Sequence, residues 1–174
     1  MFDYKRRAGQ YIGGFPLYGY RKDPADKNKL IVEPQAAAVV RRIYALYLAG
    51  HGTQSIAAIL NRDGVPSPTR HKQAMGYPYR NGAAHNDHGL WNRTTVSRIL
   101  RDQMYTGDLV QGRTKKISYK SKKMASVPQR DWIIVPDSHE PVISRRTFER
   151  VQEMLHARTR STGLGEVHPL AGKV

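Results

Sequence analysis

The strongest constraint on how this chain folds is the short join at residues 50–53, which separates two stretches of helical apolar periodicity. Upstream, Pro34 suits the first turn of a helix, and Ala36, Val39, Val40, Ile43 and Tyr47 form a broad apolar stripe that Gly50 can close in a left-handed conformation. Downstream, Thr53 is placed to cap a second helix with Ile56, Ala57 and Leu60 inward. That helix ends over residues 61–64, before Pro66 and Pro68 forbid continuation. Helices joined this tightly have to pack across each other.

A third helix is predicted over residues 91–101, WNRTTVSRILR. Val96, Ile99 and Leu100, spaced i, i+3, i+4, share one side and leave Thr94, Arg98 and Arg101 opposite, flanked by Thr95 and Ser97. This outward face carries two guanidinium forks and three hydroxyls but no acid, the group types that contact phosphates and the acceptor edge of guanine. It reads as a recognition helix; the same residues also describe a small amphipathic helix whose arginines are merely solvated. The three helices outline a helix-turn-helix. Residues 65–90, far longer than the usual turn of that motif, are expected to form a surface loop. His85 and His88 there suggest a metal pair but lack a third ligand, so no metal and no cofactor is expected.

Charge decides what such a helix meets. The 174 residues hold 29 Lys and Arg against 14 Asp and Glu, a formal +15, which points to an anionic partner, nucleic acid before a membrane surface. No apolar run is long enough to span a bilayer and MFDYKRRAGQ lacks a signal-peptide core, so a cytoplasmic location is expected. Without cysteine, zinc fingers and zinc ribbons are excluded for these residues.

The remaining segments are read in order. Residues 1–16, with Lys5, Arg6 and Arg7 followed by glycines, suit an extended basic linker. Residues 17–21 and 30–33 suggest a hairpin across Asp23, Pro24, Asp26 and Asn28. Residues 105–111 and 132–135 read as strands. From Gln111 to Arg130 the chain carries Arg113, Lys115, Lys116, Lys120, Lys122, Lys123 and Arg130 and no acid, a polyanion-binding run or a solvated loop. Ser144 caps a last helix with Phe148, Val151 and Leu155 inward, and residues 159–174 show no sustained period, as though a further domain had been cut away.

Several phrases in order resemble the recombinase domain of large serine site-specific recombinases, the integrases and transposases of phages and mobile elements. They are GGFPLYGYR, VEPQAAAVVRRIYALYLAG, SIAAILNRDGVPSP, the 91–101 helix followed by Tyr105 and Gly107, and HEPVISRRTFERVQEML. The resemblance implies a linker (1–16) from a catalytic domain, a DNA-binding recombinase domain (17–158), and a linker (159–174) toward a zinc ribbon whose lead-in HPLAGKV resembles. It further implies an α+β, mainly helical fold: a helix-turn-helix-like three-helix core, a small antiparallel β-sheet and a C-terminal helix.

Its implied function is recognition of part of an attachment site on double-stranded DNA during integration or excision. Arg93, Thr94, Thr95, Ser97, Arg98 and Arg101 would lie in the major groove and Lys5, Arg6 and Arg7 along the minor groove. No residue here is expected to be catalytic, because the nucleophilic serine belongs to the other domain, and the fragment is expected to be a monomer. A nuclease would need clustered carboxylates, and the acids are scattered. A non-specific DNA- or RNA-binding module, with Tyr77 and Tyr79 stacking on unpaired bases, is the alternative.

Overall fold

The computed structural model describes residues 2–78, 89–118 and 123–158. Among them are six helices, α1 (Phe2–Arg7), α2 (Pro34–Leu48), α3 (Thr53–Arg62), α4 (Pro68–Ala74), α5 (Arg93–Arg101) and α6 (Arg145–Arg158). Six short strands form three separate antiparallel pairs rather than the single small sheet expected. They are β1 (Tyr20–Lys22) with β2 (Leu30–Val32), β3 (Leu109–Gln111) with β6 (Ile133–Val135), and β4 (Thr114–Lys116) with β5 (Met124–Ser126). The β4–β5 pair is nested inside β3–β6. The fold is α+β and mainly helical, and no described helix is long and apolar enough to cross a membrane.

Helix α2 forms as its sequence dictates. The Glu33 carboxylate accepts from the Ala36 amide at 2.6 Å, Pro34 fills the first turn, and Ala36, Ala37, Val40, Ile43, Tyr44 and Tyr47 are buried. At its end Gly50 takes φ +98°, with Gly50 N–H on Tyr47 C=O at 3.0 Å and His51 N–H on Leu46 C=O at 3.1 Å, a Schellman closure. From α6, Arg158 stacks 4.9 Å over the Tyr47 ring and donates to the Gly50 carbonyl at 3.0 Å. A Cβ at Gly50 would meet nothing within 4 Å. Gly50→Ala therefore costs only the left-handed backbone penalty, about 1 kcal/mol, measured as a shift of the urea midpoint at unchanged slope.

The three-helix core closes around Ile43, Tyr44, Ile56, Leu60, Val96 and Leu100. The Tyr44 hydroxyl donates to the Ile99 carbonyl at 3.1 Å, and Gln152 of α6 donates to the Leu100 carbonyl at 2.8 Å, so two elements satisfy the otherwise orphaned end of α5. The long insert does not separate α3 from α5, because Asn61 at the end of α3 brackets the Trp91 backbone. Its Oδ1 accepts from the Trp91 amide at 2.8 Å and its Nδ2 donates to the Trp91 carbonyl at 2.9 Å. The Trp91 indole then donates to the Val65 carbonyl at 3.0 Å, which pins the start of the insert to its end.

Several expectations are corrected. Residues 2–7 form helix α1, packed against β6, where an extended linker was expected. The chain beyond α1 is also tied down: Gln111 accepts from the Ile12 amide at 3.1 Å and donates to the Gln10 carbonyl at 2.8 Å. Gly52, not Thr53, is the N-cap of α3, because Thr53 is already helical. The 65–90 insert is not all loop, since Ser67 caps α4 with Pro68 at its first turn. The basic 111–130 stretch contains the β4–β5 pair. The strand expected over 105–111 starts only at Leu109, because residues Gln103–Thr106 wind into a 3-10 turn and Gly107 reverses the chain at φ +94°.

Candidate nucleic-acid interface

Helix α5 forms one wall of an open groove of about 850 Å³. Asn92 caps the helix, its Oδ1 accepting from the Thr95 amide at 2.9 Å, and Val96, Ile99 and Leu100 are buried as the spacing required. The polar face is thereby turned outward. Arg93, Thr94, Thr95, Ser97, Arg98 and Arg101 all line the groove, so the structure gathers the whole α5 set. Arg93, Arg98 and Arg101 are exposed and make no ion pair or hydrogen bond among the described residues. Thr95 is less available, because its hydroxyl lies 3.2 Å from Asn92 Oδ1.

Other parts of the chain complete the lining, and of their polar and aromatic residues sequence reasoning named only Arg113 as a contact. They include Tyr11, Phe15, Tyr18 and Lys72, together with Arg113. The Tyr11 hydroxyl donates to the Phe15 carbonyl and shapes this edge, and burial pushes its phenol up to about 12. Lys72 reaches the groove from α4, its ammonium 5.9 Å over the Phe15 ring, and burial lowers its pKa below the usual lysine value. The Ser67-Pro68 pair, a cap followed by a first-turn proline, was the signal that could have revealed α4 and with it Lys72. His71 helps seat α4, 3.4 Å from Glu33 and edge-on to Tyr18. Asp102 is the only carboxylate among the described residues of the lining.

Among the described residues, the other basic side chains singled out from the sequence do not line this groove. Lys5 and Arg7 are exposed on α1, and Arg6 pairs with Asp3 at 2.6 Å. Arg7 lines a separate cleft with Arg130 and residues 131–135. Lys115 stands on β4 and Lys123 just before β5, and neither lines the groove; Lys116 ends β4. Lys120 and Lys122 lie outside the described residues, as do His85, His88, Tyr79 and residues 159–174. Tyr77, the other ring considered for base stacking, packs edge-on against Phe15 at 6.0 Å.

Below the groove, Asp108 anchors the turn between α5 and β3. It is 2% exposed and accepts two hydrogen bonds from Arg145, at 2.7 and 2.9 Å, and one from Gln103 at 2.8 Å. Burial pushes its carboxyl upward, but the Arg145 and Gln103 hydrogen bonds outweigh that and hold it below the ordinary 3.8. His139 Nε2 donates to the Met104 carbonyl at 2.8 Å, and burial lowers its pKa below 6.5.

The Bacillus subtilis (strain 168) protein YefB, described as uncharacterized, is 40% identical over 78 residues, a stretch covering 45% of this chain and 26% of that protein. A solved LSR–DNA complex aligns at TM-score 0.49 and 19% identity over 89% of this chain and 36% of its own. A structure concerning the sequence requirements of the Listeria innocua prophage attP site aligns at 0.47 and 23% over 90% of this chain and 50% of its own. The chain thus spans a half or less of each of these relatives. The recombinase family matches residues 34–158, which include α2 through α6 and so both the three-helix core and the α5 wall of the groove, and the chain belongs to that family.

Proposed function

We propose that this chain is a sequence-reading duplex DNA-binding domain of a serine site-specific recombinase, recognising part of an attachment site, with α5 in the major groove. The observation that carries this is the convergence of Arg93, Arg98 and Arg101, none of them ion-paired among the described residues, on one groove with Lys72 and Arg113. Nine residues at about 1.5 Å each make α5 roughly as long as a major groove is wide, about 12 Å. The chain's lysines outside the groove add sequence-independent affinity, and no residue of the chain is assigned a catalytic role. The active species in this reading is one chain on one part of the site, with further copies brought together on DNA.

The test is selection from a random duplex pool at about 150 mM salt, where exposed charge attraction is largely screened. Enrichment of one motif is expected; retention without a motif, or equal competition by single-stranded RNA, assigns the chain to non-specific nucleic-acid binding instead. With the motif in hand, Arg98→Ala or Arg101→Ala is expected to cost about 1–3 kcal/mol of discrimination against scrambled DNA. Lys115→Ala is expected to weaken both duplexes alike, as anisotropy titrations would register. Equal losses for cognate and scrambled DNA in the arginine variants would remove α5 as the reader.

A further inference from the structure

The arginines on α5 are exposed and without an ion pair among the described residues, whereas Arg113 is held. Its Nη2 donates to Asp102 Oδ1 at 2.7 Å and its guanidinium lies 5.1 Å over the Trp132 ring. Its Nε is shielded from solvent with no hydrogen-bond partner. Both supports are themselves fixed. Asp102 closes the end of α5 and accepts from the Met104 amide at 3.2 Å, and the Trp132 indole donates to the Val127 carbonyl at 2.8 Å. One face of the fork is stacked and one nitrogen tethered, so only the Nη end is left to meet a ligand in the groove.

We propose that Arg113 is a base-reading residue of this groove, directed at the acceptor edge of a guanine, and that Asp102 and Trp132 position it. The inference rests on the DNA-binding reading above. A fork already fixed by a carboxylate and an aromatic face gives up little side-chain freedom on binding, and it imposes a direction that a flexible lysine cannot. The Asp102 charge beside it disfavours a phosphate at this point in the groove. A neutral base edge carrying two acceptors fits the same place better. Arg113 thus differs from the lysines that follow it in sequence, whose contribution is charge alone.

The experiment compares the duplex selected by this chain with a scrambled one, by anisotropy at several salt concentrations. Arg113→Lys keeps the charge and loses the fork. It is expected to weaken the selected duplex about 10-fold or more, within the range of a lost bidentate base contact, and to leave scrambled DNA and the salt slope unchanged. Asp102→Asn keeps an acceptor for the Met104 amide. It is expected to tighten scrambled binding by removing a repelling charge while lowering the selected-to-scrambled ratio several-fold. Trp132→Phe is expected to lower that ratio without changing the salt slope, and thermal melting of each variant establishes that it is folded.

Equal weakening of both duplexes by Arg113→Lys assigns the residue to phosphate and overturns the proposal. So does a folded Arg113→Lys chain that binds both as the parent does. Asp102→Asn tightening both alike overturns the positioning role. A parent chain that selects no motif overturns the DNA-reading function itself, an outcome distinct from a selected motif that Arg113→Lys leaves untouched.

Discussion

Asp108→Ala lowers the unfolding free energy by about 3 kcal/mol, the largest single effect expected on this fold, measured by urea denaturation at neutral pH. The carboxylate is buried, and removing it takes the acceptor from Arg145 Nη1, the Gln103 amide and the Asp137 backbone N–H at 3.3 Å together, while Arg145 Nη2 keeps Asp137 Oδ1 at 2.8 Å. The cost sits at the low end for a broken buried pair because the Arg145 side chain is 49% exposed and can regain water. Acid probes the same network. With the folded Asp108 pKa below 3.8, its contribution is complete above the unfolded value and is lost as pH falls through the folded one. His139 acts in the same direction but at higher pH. Its folded pKa lies below 6.5, so the unfolded chain takes up a proton first and stability declines as pH drops below about 6.5. Stability is therefore expected to fall in two stages on acidification, the lower one smaller in Asp108→Ala, where Asp63, held below 3.8 by its Arg42 hydrogen bond, still contributes.

Asn61→Leu is expected to cost about 2–3 kcal/mol, because it leaves both the Trp91 amide and the Trp91 carbonyl without partners beside a side chain that is 3% exposed. The consequence reaches past stability. Together with the Trp91 indole on the Val65 carbonyl, Asn61 ties the end of α3, across the whole insert, to the start of α5. Freed from it, the first turn of α5, with Arg93 and Thr94, loses its fixed place on the groove wall. The variant is expected to keep affinity for scrambled DNA and to lose discrimination, read by anisotropy together with a urea titration. A variant that is destabilised yet discriminates as well as the parent shows that Asn61 serves the core alone.

The strongly periodic helices were legible because their apolar residues are numerous and regularly spaced. The stripe of α2 is nearly as expected, save that Tyr44 is fully buried while Val39 is only partly so. The α5 face was read correctly for the same reason, Val96, Ile99 and Leu100 leaving no other side to bury. Short elements hid. Helix α4 is seven residues with none buried, and the β4–β5 pair has only Met124 and Ala125 apolar, so neither shows a periodicity to read. Helix α1 went unseen because three consecutive cations look like a solvated tail until β6 is placed against them.

The candidate site divides along the same line. Sequence by itself determined which side chains α5 turns outward and that the chain carries excess positive charge, because helical phase and composition are local properties. It could not tell one cation from another. Arg113 read as one member of a basic run, and only tertiary packing set it against Asp102 and Trp132, while Lys72 joined the groove from a helix some twenty residues before α5. Whether a charge is tethered, shielded or available depends on neighbours that are remote in the chain. The strength of a contact falls steeply with distance in space, which residue order does not record.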